Sequence, residues 1–374
     1  MTKALYIHIP FCRVKCPYCD FYSIPHKEAI AQEYIRALCK QIDQLGKSFS
    51  TIYIGGGTPT VLEKTLLKQL LKSLERLISR GCEFTIEANP ESLTKDKIAI
   101  LIDGGLNRIS IGAQSLLDSK LKKLSRIHSA KKVYQAITLA KKGGFSNISI
   151  DLIFGIWAEV FKEWQRELKE VVELPVTHIS TYALTYERTT PLFKKLKQGK
   201  VSPLEEGAVA SFYKFAIDYL PKNGFSHYEV SNFAKNGYRC QHNLNYWHNY
   251  SYFGLGACAV SFLEGVREKN IADVRGYIDK LERNLSPVVS KERLSKLRGA
   301  KETAALKVRT KQGIDFKWFD KHSGFSFREL ESGQLDWLID EGLIRYRRQK
   351  GQISGIYLTK KGFLFADTVS SSLL

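Results

Sequence analysis

Proline and long hydrophobic runs are both scarce in this sequence of 374 residues. It contains 10 Pro and no low-complexity tract, while 44% of its residues are hydrophobic, a composition typical of a folded globular chain. The most apolar stretch, around residues 148–157, is interrupted by Asp151 and Gly155 and falls well short of the roughly 20 residues of a membrane-spanning helix. The amino terminus lacks the apolar region and cleavage site of a secretory signal. We therefore expect a cytoplasmic protein.

Acidic residues are also in the minority. The chain has 38 Asp and Glu against 57 Lys and Arg, so its formal charge is +19. Such a charge attracts nucleic acid, an anionic membrane surface or propionate-bearing tetrapyrroles, and it does not choose among them. Basic runs such as 120–123 and 194–197 are typical of solvated helix faces. The densest basic group lies near the carboxyl terminus and comprises Arg345, Arg347, Arg348 and Lys350.

The seven cysteines are unevenly distributed. In a cytoplasmic chain we do not expect structural disulfides. Four cysteines are isolated and are typical of small buried side chains: Cys39, Cys82, Cys240 and Cys258. The other three, Cys12, Cys16 and Cys19, form a CxxxCxxC group within eight residues. This spacing indicates a metal site.

The cysteine group fits an iron–sulfur cluster better than a zinc ion. Structural zinc takes four nitrogen or sulfur ligands, usually as two separated pairs, and no second pair follows here. A zinc site completed by His8 or His26 is the alternative. Three thiolates from one loop can instead hold three irons of a 4Fe-4S cubane. The fourth iron is then open, and we expect it to bind S-adenosylmethionine (SAM).

The rest of the chain alternates between strand-like and helix-like patterns, which predicts a parallel sheet. The predicted strands are 4–9, 51–55, 83–88, 108–112, 147–153 and 178–184, and helical segments include 28–45, 63–80, 94–103, 129–142 and 162–173. The length suffices for an α/β barrel with an appendage. Polar or glycine residues at successive strand ends favour a full or partial barrel over an open dinucleotide-binding sheet.

These strand-end residues predict a ligand site on one rim. The second strand ends in Gly55–Thr60, which lacks the lysine of a phosphate-binding loop and suits the amino group and ribose of a small ligand. The next two strands end in 87–90 and 112–115, and Asp151 interrupts an apolar strand. Each feature alone is compatible with an ordinary cap or turn. Their shared position at strand ends indicates a common pocket.

With these motifs, the chain resembles radical-SAM proteins of the oxygen-independent coproporphyrinogen III oxidase or dehydrogenase family, and within it the heme-chaperone branch. The resemblance spans nearly the whole chain and includes 6–12, CxxxCxxC, Gly55–Thr60, Glu87, Gln114, 125–128, Asp151, 182–184, 227–234 and 242–247. It implies an α/β fold, a partial (βα)6 TIM-like barrel with a smaller carboxyl-terminal α+β winged-helix-like domain. We expect boundaries at 1–235 for the barrel, 236–290 for the heme-motif segment and 291–374 for the last domain.

The resemblance also implies the cofactors and their residues. Cys12, Cys16 and Cys19 would ligate the 4Fe-4S cluster, whose open iron would be chelated by the amino and carboxylate groups of SAM. The residues that would line the SAM pocket are Tyr6, Tyr18, Gly56, Gly57, Thr58, Glu87, Gln114, Arg126, Asp151 and Ala183. Carboxylates suit ribose hydroxyls and an amino group, and arginine suits a carboxylate. We assign no catalytic residue.

Two features place the chain in the chaperone branch. The dehydrogenase branch has a further cysteine two positions after the third, whereas here Cys19 is followed by Asp20 and Phe21. Residues 242–247 read HNLNYW and match the HNxxYW motif associated with heme in the chaperone branch. We predict His242 as the axial heme ligand, with Tyr246 and Trp247 against the porphyrin. The alternative is a structural histidine bonded to Asn243 or Asn245, with the aromatic rings in the core.

The sequence departs from the family at two places. After Asp151 the usual Gly-Leu-Pro and Gly-Gln-Thr turn is replaced by 155–160, GIWAEV. A later segment that usually reads Gly-Ala-Gly-Ala-His is 256–260, GACAV, so Val260 stands in place of a histidine. The first change puts the adenosyl side of the pocket in doubt, and the second removes a candidate iron ligand.

The carboxyl-terminal region predicts a small helical winged module. Residues 335–344 read as an amphipathic helix ended by Gly342, and strands at 345–347 and 356–359 flank a turn at Gly351. Such modules can bind nucleic acid, which leaves an RNA-modifying enzyme as an alternative. The region lacks the aromatic and basic interleaving of RNA readers, so nucleic acid is not the partner we expect.

The leading hypothesis is therefore a heme-binding protein that delivers heme, or another tetrapyrrole, to an acceptor protein. An electron donor for the cluster and a peripheral membrane contact complete the expected partners. The second hypothesis is an oxidase that decarboxylates coproporphyrinogen in porphyrin biosynthesis. The third is the RNA-modifying enzyme.

Overall fold

A computed structural model of the protein describes residues 3–330 and 332–374. Its strands are β1 Ala4–Ile9, β2 Phe11–Cys12, β3 Ile24–Pro25, β4 Phe49–Gly56, β5 Ile78–Ala88, β6 Arg108–Gln114, β7 Asn147–Phe154, β8 His178–Ala183, β9 Ser226–Glu229, β10 Asn232–Ala234, β11 Tyr252–Leu255, β12 Val260–Leu263, β13 Val266–Asn270, β14 Val288–Arg293, β15 Ile314–Asp315, β16 Ile344–Gln349 and β17 Gln352–Leu358.

The helices lie between these strands and after them. They are α1 Glu28–Asp43, α2 Lys64–Leu74, α3 Lys95–Asp103, α4 Asp118–Lys123, α5 Ala130–Lys142, α6 Phe161–Val172, α7 Pro191–Lys197, α8 Glu206–Lys222, α9 Gln241–Trp247, α10 Val274–Glu282, α11 Lys296–Lys307, α12 Phe316–Ser323, α13 Phe327–Leu330, α14 Ser332–Asp340, α15 Lys360–Leu364 and α16 Ala366–Ser372. In the described part of the chain, no helix is long and apolar enough to cross a membrane.

The main sheet confirms the predicted α/β fold. Its strand order is β14-β13-β12-β11-β1-β4-β5-β6-β7-β8-β10-β9. Neighbouring strands from β11 to β8 are parallel, and they include the six predicted strands β1, β4, β5, β6, β7 and β8. Helices connect successive parallel strands, as a βα barrel requires.

Strand β6 shows how the sheet separates its two faces. Ile109, Ile111 and Ala113 are fully buried in the hydrophobic core. Each such isoleucine contributes about 1.5–3 kcal/mol by leaving water. The alternate residues, Arg108, Ser110, Gly112 and Gln114, face a cavity inside the barrel. The period of two along a strand therefore gives an apolar outer face and a polar interior.

One predicted helix is wrong over its last part. A helix was expected over 63–80, whereas α2 ends at Leu74, a short 3-10 turn covers Glu75–Leu77, and β5 begins at Ile78. The buried leucines that give the helical pattern stop at Leu77. Gly81 has φ of +74°, a conformation that a helix does not use. The polar residues around it form the entry of a strand.

The last third of the chain extends the sheet and adds a second one. Strand β11 pairs in parallel with β1, and β12 to β14 continue antiparallel at that edge. A separate sheet has the order β15-β17-β16. Its β16–β17 hairpin turns at Lys350 and Gly351, with φ of 48° and 78°, as a tight hairpin turn requires. The expected helix is α14, which is followed by Gly342 with φ of +66°. The proposed domain boundaries stay predictions.

Candidate functional site

A cavity of about 520 Å³ opens at the carboxyl ends of the parallel strands. Its wall contains the three cysteines of the CxxxCxxC group, which follow β1. Nine of the ten predicted SAM residues also line it: Tyr18, Gly56, Gly57, Thr58, Glu87, Gln114, Arg126, Asp151 and Ala183. The structure thus brings together residues that lie up to 171 positions apart in the sequence. The strand-end argument predicted this for Gly56, Gly57, Thr58, Glu87, Gln114 and Asp151, and the family resemblance implied it for the others. Their role in binding SAM stays a prediction.

The cysteine loop is held at its base by a short strand pair. Phe11 and Cys12 pair with Ile24 and Pro25, and within the loop the amide of Cys19 donates to the carbonyl of Cys16 at 3.1 Å. Cys16 is buried, whereas Cys12 and Cys19 are half-buried. The strand pair and the hydrogen bond thus fix the backbone of the loop, and all three cysteines line the cavity.

Two donors point at the cysteine sulfurs. The hydroxyl of Thr58 lies 3.7 Å from Sγ of Cys12, and Nη1 of Arg126 donates to Sγ of Cys16 at 3.3 Å. Among the described residues, no group of three His, Cys, Asp or Glu converges as a single metal ion requires. Three thiols spread around one loop fit a cubane, in which each sulfur meets a different iron.

The glycines at the end of β4 allow the cysteine loop to approach this strand closely. A Cβ atom on Gly57 would lie 2.6 Å from the carbonyl oxygen of Phe11. Gly56 has φ of +111°, and a Cβ atom there would lie 2.6 Å from the ring of His8. The amides of Gly57 and Thr58 donate to the carbonyls of Ile9 and Phe11 at 2.9 and 2.7 Å. Glycine is therefore required at these positions by packing.

Glu87 is held from two sides at the edge of the cavity. The hydroxyl of Tyr53 donates to its Oε1 at 2.8 Å, and the amide of Gly56 donates to its Oε2 at 3.1 Å. Burial raises the pKa of Glu87 to about 7, and the nearby carboxylate of Asp151 adds to the rise. Both oxygens keep lone pairs for a ligand. Glu87 can therefore accept hydrogen bonds from an amino group or a ribose.

Asp151 lies across the cavity on β7. The hydroxyl of Ser110 donates to both of its carboxylate oxygens at 3.2 Å, and Ser149 donates at 3.4 Å. Burial raises the pKa of Asp151, although these hydroxyls oppose the rise. The buried carboxylate that the sequence showed thus has its partners on neighbouring strands.

Arg126 connects the cysteine loop to the strand ends. Its Nη2 donates to Oδ1 of Asn89 at 2.6 Å and to the carbonyl of Gly112 at 2.9 Å. Asn89 in turn donates to the hydroxyl of Thr58 at 2.9 Å. Gln114, two residues beyond Gly112, has φ of +67°, a strained conformation that is concentrated at functional sites. The result is a rigid bridge across the open end of the barrel.

Tyr6 and His8 lie apart from the cavity wall. The hydroxyl of Tyr6 hydrogen bonds Nδ1 of His8 at 3.0 Å, and its ring stacks on Tyr53 at 6.3 Å. Nε2 of His8 is bonded to the carbonyl of Tyr22 at 2.9 Å. Tyr6 therefore supports Tyr53 behind the cavity surface. Both ring nitrogens of His8 are engaged, which removes it as a fourth zinc ligand in this conformation.

The HNxxYW segment forms α9, which lies against the opposite end of the barrel. Glu83 on β5 accepts hydrogen bonds from the amides of Gln241 and His242 at 2.9 and 3.0 Å, and so caps the amino terminus of the helix. Asn243 lines the inner end of the same cavity. The cluster motif and the heme motif thus face one cavity from its two ends.

His242 is engaged within the protein. It is 1% exposed, its Nδ1 is bonded to Oγ1 of Thr51 and its Nε2 to the hydroxyl of Tyr246, both at 2.9 Å. Burial lowers the pKa of His242 to about 3. Neither ring nitrogen is open to a heme iron in this conformation. These contacts agree with the alternative, in which His242 is a structural histidine. Its partners are Thr51 and Tyr246, whereas the expected partners were Asn243 or Asn245.

The comparisons with known proteins agree with this geometry. The model of the Radical SAM superfamily matches residues 6–171. A relative described as heme chaperone HemW from Lactococcus lactis is 35% identical over 100% of this chain and 97% of its own length. A HemW from Bacillus subtilis is 34% identical over 100% and 99%. The chain belongs to the HemW family.

The fold agrees with a solved structure outside that family. Coproporphyrinogen III oxidase (HemN) from Escherichia coli, described as a radical SAM enzyme, superposes with a TM-score of 0.85 and covers 100% of this chain and 90% of its own. At 21% identity it supports the fold alone. Radical SAM proteins carry a 4Fe-4S cluster and SAM, and the thiols, glycines and carboxylates of the cavity fit both.

The unusual loop after Asp151 is stabilised by a buried ion pair. Glu159 contacts Nζ of Lys120 at 2.5 Å and accepts from the amide of Ile156 at 3.0 Å. Lys120 also pairs with Glu167, and all three side chains are buried. Because Ile156 packs in a small cluster against Tyr18, the loop supports one wall of the cavity. This member of the HemW family thus closes the loop without the usual Gly-Gln-Thr turn.

Val260 does not reach the cavity. It begins β12, pairs with Lys269 and is half-buried at the sheet edge. Trp247 is likewise away from the cavity wall, with the guanidinium of Arg309 5.5 Å from its ring centre. The sequence reasoning missed Tyr53, Ser110 and Arg108 as cavity residues. These residues could have been found from the alternation of polar residues with Ile and Phe along the predicted strands, because alternate residues face the same side of a sheet.

Proposed function

We propose that this protein is a heme chaperone that carries a 4Fe-4S cluster and SAM in the barrel cavity and delivers heme to acceptor proteins. The observation that carries the proposal is full-length similarity to relatives described as heme chaperones, at 35% and 34% identity. A further cysteine two positions after Cys19 is absent, and HNxxYW is present. A cytoplasmic location is part of the proposal, since free thiols persist there.

The cavity residues account for the proposed binding of SAM. When bound to Cys12, Cys16 and Cys19, the cluster supplies one-electron reduction of SAM, which requires an electron donor. The Arg126 guanidinium suits the methionine carboxylate. Glu87 and Asp151 suit the ribose hydroxyls and the amino group.

Heme would be bound around α9. Tyr246 and Trp247 supply aromatic surface, and His242 can ligate iron only after it leaves Thr51 or Tyr246. We therefore propose that heme uptake is accompanied by local rearrangement of α9. Such a bound state would release heme readily when α9 returns to its closed contacts, which is a property that a carrier needs.

The test is a heme titration of protein reconstituted anaerobically with iron and sulfide. We expect stoichiometric heme uptake by the wild type and its loss in His242→Ala. His248→Ala is the matched control, because His248 follows the same helix and its Nδ1 bonds the Leu244 carbonyl at 2.5 Å. Full uptake by His242→Ala would reject the proposed ligand, and no uptake by the wild type would reject the function.

Oxidation of coproporphyrinogen is the second candidate, because the sequence motifs resemble the coproporphyrinogen oxidase family as a whole as well as its chaperone branch. The two functions differ in one assay. Anaerobic turnover of coproporphyrinogen with SAM and a reductant would support the oxidase. A chaperone should bind heme and form no protoporphyrinogen under the same conditions.

A further inference from the structure

Arg108 is a buried cation, and two of its three side-chain nitrogens have no hydrogen-bond acceptor among the described residues. It is the first residue of β6, it is 2% exposed, and it lines the inner end of the cavity. Its Nε and Nη1 atoms are buried and have no hydrogen-bond acceptor in the described part of the chain. A guanidinium keeps its charge under all ordinary conditions and offers five N–H donors. The cavity therefore ends at a charged group whose donors are unsatisfied.

The carboxylates of the barrel interior are engaged elsewhere. Glu83 accepts from two amides of α9 and from the Cys240 thiol. Glu87 is bonded to Tyr53 and Gly56, and Asp151 to the serines beside it. These acids lower the electrostatic energy of Arg108 at a distance, but they do not receive its hydrogen bonds. Since the described residues supply no acceptor for Nε or Nη1, a bound ligand or water is left to supply one.

Keeping such a group has an energetic cost. An unsatisfied buried donor costs about 1–3 kcal/mol, and more when it is charged. Natural proteins leave few such groups, and each one that remains needs an explanation, such as a catalytic role or a bound water or ion. A carboxylate is the matching group, because it accepts two parallel N–H bonds from a guanidinium.

We propose that Arg108 binds a propionate carboxylate of the tetrapyrrole at the inner end of the cavity. This inference rests on the proposed function. The SAM carboxylate has its own partner at the open end in Arg126, beside Cys16. The inner end is bounded by Asn243 of α9, the helix of the heme motif. A propionate that reaches Arg108 therefore extends from a porphyrin held at α9.

The experiment compares heme with its dimethyl ester, in which both carboxylates are masked, in matched detergent. Wild-type protein should bind heme about tenfold or more tightly than the ester, since charged hydrogen bonds contribute on that scale. Arg108→Met should lose this preference, and Arg108→Lys should keep part of it.

Arg239→Met is the matched control. Arg239 is exposed, precedes the same helix and lies over the Tyr228 ring at 6.0 Å, so its loss removes a neighbouring positive charge without touching the cavity. It should keep the wild-type preference for heme over the ester. Loss of the preference in this control would show a general charge effect and overturn the proposal.

Thermal unfolding gives a second readout. Heme should raise the unfolding temperature of the wild type more than that of Arg108→Met, because only the wild type offers a guanidinium to the propionate. An equal rise in both proteins would overturn the inference. Equal wild-type affinity for heme and ester would also overturn it while leaving heme binding intact. Failure of the wild type to bind either compound would reject the proposed function itself.

Discussion

The two ends of the barrel differ in whether the residues predicted to bind a ligand are already engaged within the protein. At the carboxyl end, thiols, Glu87, Asp151 and Arg126 face a cavity and keep capacity for a ligand. At the amino end, α9 is capped by Glu83, and His242 uses both ring nitrogens within the protein. The open end is organised before a ligand arrives, whereas the α9 end must change to bind one.

This difference separates two kinds of binding in one molecule. A preorganised site binds without losing protein contacts, so its affinity is not reduced by rearrangement. A site that must first break two hydrogen bonds binds with lower affinity by the cost of opening. Tight SAM binding and exchangeable heme binding are consistent with a carrier.

The largest effect should come from the open end. Cys16→Ser removes one of the three predicted cluster ligands, so we expect loss of nearly all bound iron and sulfide after anaerobic reconstitution. Iron and sulfide analysis with absorbance near 400 nm would measure it. Cys39→Ser is the control, because the Cys39 thiol contacts Ser73 far from the loop and should keep the cluster.

The second prediction tests the close approach of β4 to the cysteine loop. In Gly57→Ala the new methyl group would lie 2.6 Å from the Phe11 carbonyl oxygen, so the loop must move. We expect SAM affinity to fall about tenfold to a hundredfold, because a shift of 1 Å can have an effect of that order. Isothermal titration of reconstituted protein would measure the loss.

Gly207→Ala is its control. Gly207 lies in α8 with open space around its Cβ position. Alanine there should leave SAM binding unchanged and stabilise the protein by about 0.5–1 kcal/mol. Equal SAM affinity in both glycine variants would show that the close approach does not matter for binding.

The open end could be predicted from sequence because its signals are local. The CxxxCxxC spacing, the glycines of Gly55–Thr60 and the position of Asp151 in an apolar run each lie within a few residues. The repeated strand–helix pattern then places strand ends on one rim. Six strands follow from this pattern. The residues of the SAM pocket were implied by the family resemblance, and all but Tyr6 line the cavity.

The α9 end could not be predicted because its contacts join distant segments. The bond between Thr51 and His242 spans 191 positions, and no periodicity reports it. Helix α9 has seven residues, too few for a period to show its inner face. Arg108 resembles an ordinary basic residue until β6 is known to lie at the centre of the sheet. Tertiary partners, which local patterns do not contain, determine that end.

The third prediction removes one of the two hydrogen bonds that engage His242 at the α9 end. Tyr246→Phe removes the hydroxyl that engages Nε2 of His242, so it should destabilise the protein by about 1 kcal/mol. If His242 ligates heme, the freed nitrogen should raise heme affinity severalfold. Denaturant unfolding and heme titration would measure the two effects.

Tyr250→Phe is the control, because Tyr250 is 40% exposed and its hydroxyl contacts only Trp318 among the described residues. Weaker heme binding in Tyr246→Phe would mean that the closed contacts belong to the bound state.

The smallest effect should be a pH dependence at the open end. Because burial raises the pKa of Glu87 to about 7, this carboxyl is protonated in free folded protein below that pH and ionised above it. The cationic SAM favours the ionised form, so its affinity should rise severalfold from pH 6 to 8 and level off. The raised pKa also means that the contribution of Glu87 to folding stability is lost as pH increases from about 4.5 to about 7. Glu87→Gln should flatten the SAM profile while His242→Ala leaves it unchanged. An equally steep profile in Glu87→Gln would assign the titration to another group and would remove Glu87 from the SAM contacts that distinguish the open end.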